Sequence, residues 1–349
     1  MTESECVECG GTVTLHDDLE IGEIVDCETC GAELEVVDVS PPVLDRAPEL
    51  EEDWGSKMKI GLLYSRIRKD EKLLLSELRE RDHEVAKIDV RKQRFGLTET
   101  TAEIADCDVV IDRCLATSRS LYATRFLSAY GVPVINSPET AAVCADKVKN
   151  SLALEAAGVP TPATEVAFTT EAAMEAIEDF GYPCVIKPVV GSWGRLMAKI
   201  DSENAAEAIL EHKATLGHYE HKVFYVQEYV DKPGRDIRVL ACDGEPVAAM
   251  TRSSEHWLTN AAKGGQTADF ELDDEAKDLV ATASDAVGGG LLGVDLMETK
   301  DGEYTVHEVN HTVEFKALNE ASEVDVPAAV VDWLELKAEV AADEAVMTA

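Results

Sequence analysis

Two Cys-x-x-Cys pairs, Cys6/Cys9 and Cys27/Cys30, stand 17 residues apart near the start of this 349-residue chain, and they restrict its first 40 residues more than any apolar pattern does. Each pair meets a glycine turn, Cys9-Gly10-Gly11 and Cys30-Gly31. Such turns aim two thiolates at one point, and four thiolates complete a closed tetrahedral zinc site. A segment this small buries too little surface to fold alone, so metal binding supplies its folding energy. The spacing therefore predicts a zinc ribbon over residues 1–39, with short β runs such as Leu34 to Val39. The other five cysteines, Cys107, Cys114, Cys144, Cys184 and Cys242, lie irregularly in apolar contexts and read as small buried residues.

Charge limits the partners. There are 69 acidic and 32 basic residues, a formal charge of −37 spread along the chain, and no Lys or Arg precedes Arg46. That field repels nucleic-acid phosphates and anionic membranes, so a nucleic-acid-binding ribbon is the least favoured reading and docking on a basic protein surface is favoured. With 45% hydrophobic residues in periodic runs the chain is not an acidic disordered protein. Its excess acid is that of a halophile's surface, hydrated and screened at high salt. No stretch suits a bilayer and the N-terminus lacks the order of a signal peptide, which predicts a cytoplasmic protein.

Residues 40–57, PPVLDRAPELEEDWGSK from Pro41 on, read as an acidic, proline-rich linker. From Met58 strands and helices alternate: a strand at Lys59 to Tyr64, a helix near Glu71 to Arg81, strands at Val85 to Val90 and Val109 to Ile111, a helix near Ser120 to Tyr130 and a strand at Val132 to Ile135. This order predicts a parallel α/β sheet covered on both faces. A helix from Asp146 to Ala157 follows, stopped by Gly158 and Pro160. Next, a strand ending in Lys187 runs into the turn Val189-Val190-Gly191-Ser192-Trp193-Gly194-Arg195, whose backbone can lie against phosphate beside a lysine charge, although an ordinary hairpin fits the turn as well. Phe224 to Val230 reads as a strand with a polar pair, Gln227-Glu228, placed to read an adenine edge.

The stretch from Gly293 to Phe315 carries the strongest pairing signal. Asp301-Gly302 predicts a two-residue hairpin in which Lys300 pairs with Glu303, and counting outward sets Asp295 opposite Glu308. Glu308 and Asn310 then share a face, with Asn310 diagonal to Asp295. Two facing carboxylates repel, which a bound divalent cation would relieve, hard oxygen ligands suiting Mg²⁺ shared with phosphates. On this stretch alone a solvated acidic hairpin is the other reading.

Taken in order, the features of residues 58 to 340 resemble the ATP-grasp superfamily of carboxylate–amine ligases, most closely the LysX/ArgX ligases and the related ribosomal-protein glutamate ligases. Residues 1–55 are similar to the amino-group carrier protein LysW, with its Cys₄ ribbon and EDWG tail, here Glu52-Asp53-Trp54-Gly55. The resemblance implies an α/β (α+β) ATP-grasp fold behind a small zinc ribbon, with a pre-ATP-grasp domain over 58–145 and an ATP-grasp domain over 146–349, divided into a central lid near 160–230 and a C-terminal part near 231–340. It implies ATP at Lys147, Lys187, Gly191, Ser192, Trp193, Gly194, Gln227, Glu228, Tyr229, Val230, Asp236 and Arg238, two Mg²⁺ ions at Asp295, Glu308 and Asn310, and Zn²⁺ at Cys6, Cys9, Cys27 and Cys30. Arg195, Arg252 and Asn260 are the candidates for holding the amino acid's carboxylates, because guanidinium forks match carboxylates, with ordinary surface ion pairing as their other reading.

The implied reaction joins glutamate or 2-aminoadipate to a LysW carrier through an acyl phosphate and opens arginine or lysine biosynthesis, with downstream carrier-dependent enzymes as further partners and a homodimer or homotetramer as the assembly. A ligase adding glutamate to another protein or peptide C-terminus is the nearest rival; a non-catalytic zinc-ribbon interaction protein is the other. Two departures matter. Family carriers end EDWGE, but Ser56 stands after Gly55 and has no carboxylate to activate. The fused ribbon is then a docking module for a free carrier, or Glu51 or Glu52 is the acceptor, or Met58 is the true start. The second departure is in the substrate segment, Thr312, Glu314, Phe315, Ala317 and Leu318, where relatives carry Asn-Thr, Asn-Asn or Gly-Phe in place of Ala317-Leu318. A bulky apolar residue at Leu318 would shorten the pocket and favour glutamate, one methylene being worth about 1–3 kcal/mol.

Overall fold

The computed structural model describes residues 2–16, 21, 23–46, 57–98, 100–191, 196–216, 222–254, 256–257, 259 and 266–348. They form two compact units, Met1–Ser56 and Lys57–Ala349.

In the first unit β1 (Thr2–Glu5) and β2 (Thr12–Leu15) form a hairpin, while β3 (Ile24–Asp26), β4 (Glu33–Val39) and β5 (Pro42–Arg46) form an antiparallel sheet in that order. The two cysteine turns repeat one geometry. Cys6 N donates to Gly11 O at 2.8 Å and Gly10 N to Cys6 O at 2.9 Å; Cys27 N donates to Ala32 O at 2.9 Å and Gly31 N to Cys27 O at 2.7 Å. Gly10 and Gly31 hold φ of 69° and 74°, the left-handed conformation this turn demands. Among the described residues the core behind them has seven buried members, including Val13, Leu34, Val36 and Leu44. The linker reading is corrected at its start: Pro42–Arg46 is a strand, with Leu44 opposite Val36 and 3% exposed. Proline disguised it, yet Pro42 opens an edge strand, where a missing N–H costs little. The EDWG tail lies outside the described residues.

The second unit begins with β6 (Lys59–Tyr64), α1 (Lys69–Glu80), β7 (Glu84–Asp89), α2 (Ala102–Ala105), β8 (Val109–Arg113), α3 (Thr117–Ala129) and β9 (Val134–Ile135). The strands form a parallel sheet in the order β7-β6-β8-β9, covered on both faces as the alternation predicts. Helices α4 (Pro138–Cys144) and α5 (Lys147–Ala156) lead to a second sheet, made of β10 (Thr164–Ala167), β11 (Cys184–Lys187), β12 (Ala198–Ile200) and β13 (Phe224–Glu228) in the order β10-β13-β11-β12. Cys184, Ile186, Phe224 and Val226 face its helices, α6 (Thr170–Phe180) and α7 (Glu203–Leu216). Because side chains alternate, Val185, Lys187, Tyr225 and Gln227 share the opposite face.

A third sheet follows: β14 (Arg235–Cys242), β15 (Glu245–Ser253), β16 (Gln266–Asp269), β17 (Leu291–Glu298) and β18 (Tyr304–Asn310), antiparallel in the order β16-β15-β14-β17-β18. Ile237, Val239, Leu292 and Val294 point to one face, against α8 (Asp274–Val287). Leu240, Met250 and Leu291 point to the other, against β6, α1 and the closing helix α10 (Val326–Thr348), which follows the short α9 (Lys316–Ala321). Alternation puts Asp236, Arg238, Arg252 and Asp295 on this second face too, beyond the apolar contact.

The β17/β18 hairpin reaches the anticipated pairing by a different route. Its loop is Lys300-Asp301-Gly302, with Thr299 N bonded to Glu303 O at 2.9 Å and Gly302 at φ 84°, so Glu298 pairs with Tyr304 and the register near the turn is one residue off. A β-bulge then inserts His307 between the pairs Leu296/Val306 and Asp295/Glu308. The two shifts cancel, and Asp295 does face Glu308.

Gly293 is a close approach: a Cβ there would lie 2.7 Å from Val313 Cγ2 and 3.3 Å from Arg238 Nη1. Gly293→Ala is expected to lower stability by about 1–3 kcal/mol through overpacking, read as a fall in the denaturant midpoint with an unchanged m-value. A midpoint equal to that of the unmutated chain contradicts the packing described.

Candidate active site

The ionic end of the third sheet, the polar face of the second sheet and the carboxyl ends of the parallel strands enclose a cavity of about 480 Å³. Its floor is built from cross-strand pairs of opposite charge: Asp236 faces Arg252, and Arg238 faces Asp295. Arg238 forks onto Asp295, Nε to Oδ1 at 2.5 Å and Nη2 to Oδ2 at 2.6 Å. Arg252 bridges two acids, with Nε 2.6 Å from Asp236 Oδ1 and Nη2 2.8 Å from Asp295 Oδ1. Asp236 also takes the Thr259 hydroxyl and, at 3.4 Å, the Lys232 ammonium. Burial would raise the Asp236 carboxyl, but Arg252, Lys232 and the Thr259 hydroxyl together leave the group below its ordinary value.

Asp295 and Glu308 face each other directly, and Asn310 Nδ2 lies 3.3 Å from an oxygen of each. Lys147 Nζ stands 3.3 Å from Glu308 Oε2 and donates to Gly191 O at 3.0 Å, tying the start of α5 to the glycine turn. Burial pushes the Glu308 carboxyl up, yet the surrounding cations, led by Lys147, hold it well below the carboxylate range. The donor set fits Mg²⁺: two carboxylates and an amide that offers its oxygen once rotated, an orientation the hydrogen-bond partners decide.

Lys187 is 3% exposed. Its Nζ donates to Gln227 Oε1 and lies 2.5 Å from His307 Nε2. Burial, with repulsion from Lys147 and Lys232, lowers Lys187 to about 7. Burial and the Lys187 charge lower His307 to about 3. Gln227 spends its amide nitrogen on Thr164 Oγ1 at 2.9 Å and Tyr225 OH at 3.1 Å, and Glu228 Oε1 takes Ala163 N at 2.8 Å. These two side chains, anticipated at an adenine edge, are therefore occupied within the protein. Glu228, Tyr229 and Val230 line the cavity.

Other anticipated residues are placed differently. Arg252, a candidate for an amino-acid carboxylate with ion pairing as its other reading, bridges two protein carboxylates, and Arg238 forks onto one. Thr312, Glu314 and Ala317 line the cavity, but Phe315 and Leu318 are fully buried in the apolar core with Val330 and Val331. The pocket-shortening role given to Leu318 is thus corrected: helix α9 turns that side chain inward. Ser192, Trp193, Gly194, Arg195 and Asn260 lie outside the described residues. Arg68 was missed. It forks onto Glu71, Nε to Oε2 at 3.1 Å and Nη2 to Oε1 at 2.6 Å, and gives Nη1 to Glu314 at 2.6 Å, on the cavity wall. Its signal was position, just past the carboxyl end of a parallel strand, where open α/β sheets place ligands.

In the first unit the Sγ atoms of Cys6, Cys9, Cys27 and Cys30 lie within 4.8 Å of one another, with Cys6/Cys30 at 3.8 Å and Cys9/Cys27 at 3.7 Å. A tetrahedron with Zn–S near 2.3 Å has edges of roughly 3.8 Å, so the thiols fit zinc. The remaining five cysteines are free, and four of them are buried.

Residues 4–49 match the family described as alpha-aminoadipate carrier protein LysW-like, globular domain; residues 60–143 match the LysX preATP-grasp domain and residues 144–334 the RimK-like ATP-grasp domain. The chain is 32% identical over 280 residues to the glutamate–LysW ligase ArgX of Sulfolobus acidocaldarius, covering 80% of this chain and 98% of that one. It is 35% identical over 250 residues to the alpha-aminoadipate–LysW ligase LysX of Saccharolobus solfataricus, covering 71% and 90%. The RimK domain ATP-grasp protein of Sphaerobacter thermophilus superposes with a TM-score of 0.67 at 27% identity, over 79% of this chain and 98% of that one.

A phosphate set against Lys187 meets it protonated, while the free lysine is half neutral near pH 7. ADP affinity is therefore expected to be flat below that pH and to fall toward tenfold per unit above it, and Lys187→Met to be weak and flat throughout. Fluorescence titration from pH 6 to 9 reads both; a slope unchanged in Lys187→Met overturns the assignment.

Proposed function

The chain belongs to the RimK-like ATP-grasp ligases, and on that footing we propose that this ATP-dependent ligase joins the α-amine of glutamate or 2-aminoadipate to the side-chain carboxylate of the final glutamate of a LysW-type carrier. The observation that supports this most is the carrier-like ribbon encoded in one polypeptide with a LysX-type ligase. The γ-phosphoryl group of ATP passes to the carrier carboxylate with departure of ADP; the amine then attacks the acyl phosphate, and inorganic phosphate leaves as the amide forms. No protein nucleophile is needed. The work is positioning and electrostatics. Lys147 and Lys187 hold phosphate oxygens, and Tyr229 and Val230 edge the adenine. Asp295, Glu308 and Asn310 hold Mg²⁺, which when bound neutralises charge on the phosphates. Arg238 and Arg252 fix Asp295 so that its oxygens keep one orientation. The amino acid lies toward Arg68, Thr312 and Ala317.

Since Ser56 offers no carboxylate, the acceptor in this reading is a free carrier acting in trans, with the fused ribbon as a docking module. The test is ADP release at high salt with ATP and Mg²⁺, offering glutamate or aminoadipate, with and without a free EDWGE-tailed carrier. Release that requires the free carrier, and a single amino acid on its terminal glutamate by mass spectrometry, is expected. Amino acid found within residues 49–57 of this chain overturns the trans reading; release only with unrelated peptides overturns the carrier reading.

A further inference from the structure

The β-bulge in β18 has a chemical consequence. By putting two residues opposite one, it brings His307 as well as Glu308 into the cavity wall. His307 Nε2 lies 2.5 Å from Lys187 Nζ, and Gln227 Oε1 is the other acceptor on that ammonium. The orientation of Gln227 is set by the lysine: an ammonium only donates and so takes the amide oxygen, which leaves the amide nitrogen to the Thr164 and Tyr225 hydroxyls. A lysine has three N–H donors on a flexible stem. Gln227 Oε1 and His307 Nε2, from two different sheets, β13 and β18, both lie within hydrogen-bond reach of that ammonium.

We propose that His307 is a positioning residue: with Gln227 it fixes two of the three N–H bonds of Lys187, so that the third is aimed at a nucleotide phosphate. The function requires Nε2 of His307 to accept, hence the proton to sit on Nδ1. It also keeps Lys187 from swinging onto the adjacent Glu308, which Lys147 engages at 3.3 Å. A pre-oriented donor binds phosphate with less ordering cost than a free one. The inference rests on the reading that the cavity binds a nucleotide, not on which acceptor the ligase modifies.

Three measurements on the full chain test it. ¹⁵N shifts of the imidazole in the unmutated protein are expected to show the Nδ1–H tautomer; an Nε2–H tautomer overturns the proposal without any variant having to fold. Calorimetry with ADP is expected to show His307→Leu at least tenfold weaker, and His307→Gln, whose Oε1 restores an acceptor, within threefold of the unmutated protein. In turnover, His307→Leu should raise KM for ATP and leave KM for the amino acid unchanged. Equal losses in both variants mean that the ring only fills space, and unaltered ADP binding in His307→Leu means that it does nothing for the lysine; either result overturns the proposal. The tautomer and ADP binding are read without turnover, so they stand even where no carrier is modified, and an unmutated chain that binds no ADP refutes the nucleotide reading separately.

Discussion

Asp295 and Glu308 face each other across the β17/β18 ladder, and the rest of the second unit is arranged to make that juxtaposition tolerable. Facing carboxylates, Asp295 buried and Glu308 half-buried, are repulsive and poorly solvated, so each must be surrounded by positive charge. Arg238 and Arg252 close on Asp295, Lys147 on Glu308, and the Asn310 amide lies between them. Removing one of these cations leaves an uncompensated charge, which costs far more than the net worth of the pair. The geometry makes little sense for stability alone, since apolar residues at these positions would pack as well at no electrostatic cost. It makes sense for a site that exchanges some of those contacts for a cation and phosphates.

How the charges come to be there follows from strand alternation. One face of the third sheet runs from apolar to ionic along its length: Leu240, Met250 and Leu291 seal it against the parallel-sheet layer, and Asp236, Arg238, Arg252 and Asp295 continue past the contact into the cavity. The second sheet does the same with Lys187 and Gln227, whose neighbours Ile186 and Val226 face its helices. Both elements therefore use their buried faces for folding and their opposite or outlying positions for chemistry. Gly293 fits here too, since any side chain there would press on Arg238 and Val313.

Much of this could be read from residue order, and the misreadings have identifiable causes. The parallel sheet and its covering helices follow from alternating apolar runs, and the cysteine turns from the spacing of the pairs and the glycines that end them. Asp295 and Glu308 were placed opposite each other with a turn one residue too short, and the answer survived only because the His307 bulge restores the register; a bulge leaves no mark in a strand's alternation when both of its residues are polar. For Arg252 the guanidinium fork suits a substrate carboxylate and a protein one equally, and the cross-strand position of Asp236 brings it onto protein carboxylates. The resemblance puts both Ala317 and Leu318 in the substrate segment, but adjacent residues on a helix face different ways, and Ala317 lines the cavity while Leu318 is buried in the core. Pro42 hid a strand because proline argues against strands except at an edge.

Whether the facing acids are a divalent-cation site can be measured directly by calorimetry of ADP with and without Mg²⁺. In the unmutated chain Mg²⁺ should tighten ADP binding, and in Glu308→Gln that enhancement should vanish while Mg²⁺-free binding through the lysines persists. An enhancement by Mg²⁺ that is undiminished in Glu308→Gln and in Asp295→Asn would contradict the role given to the pair.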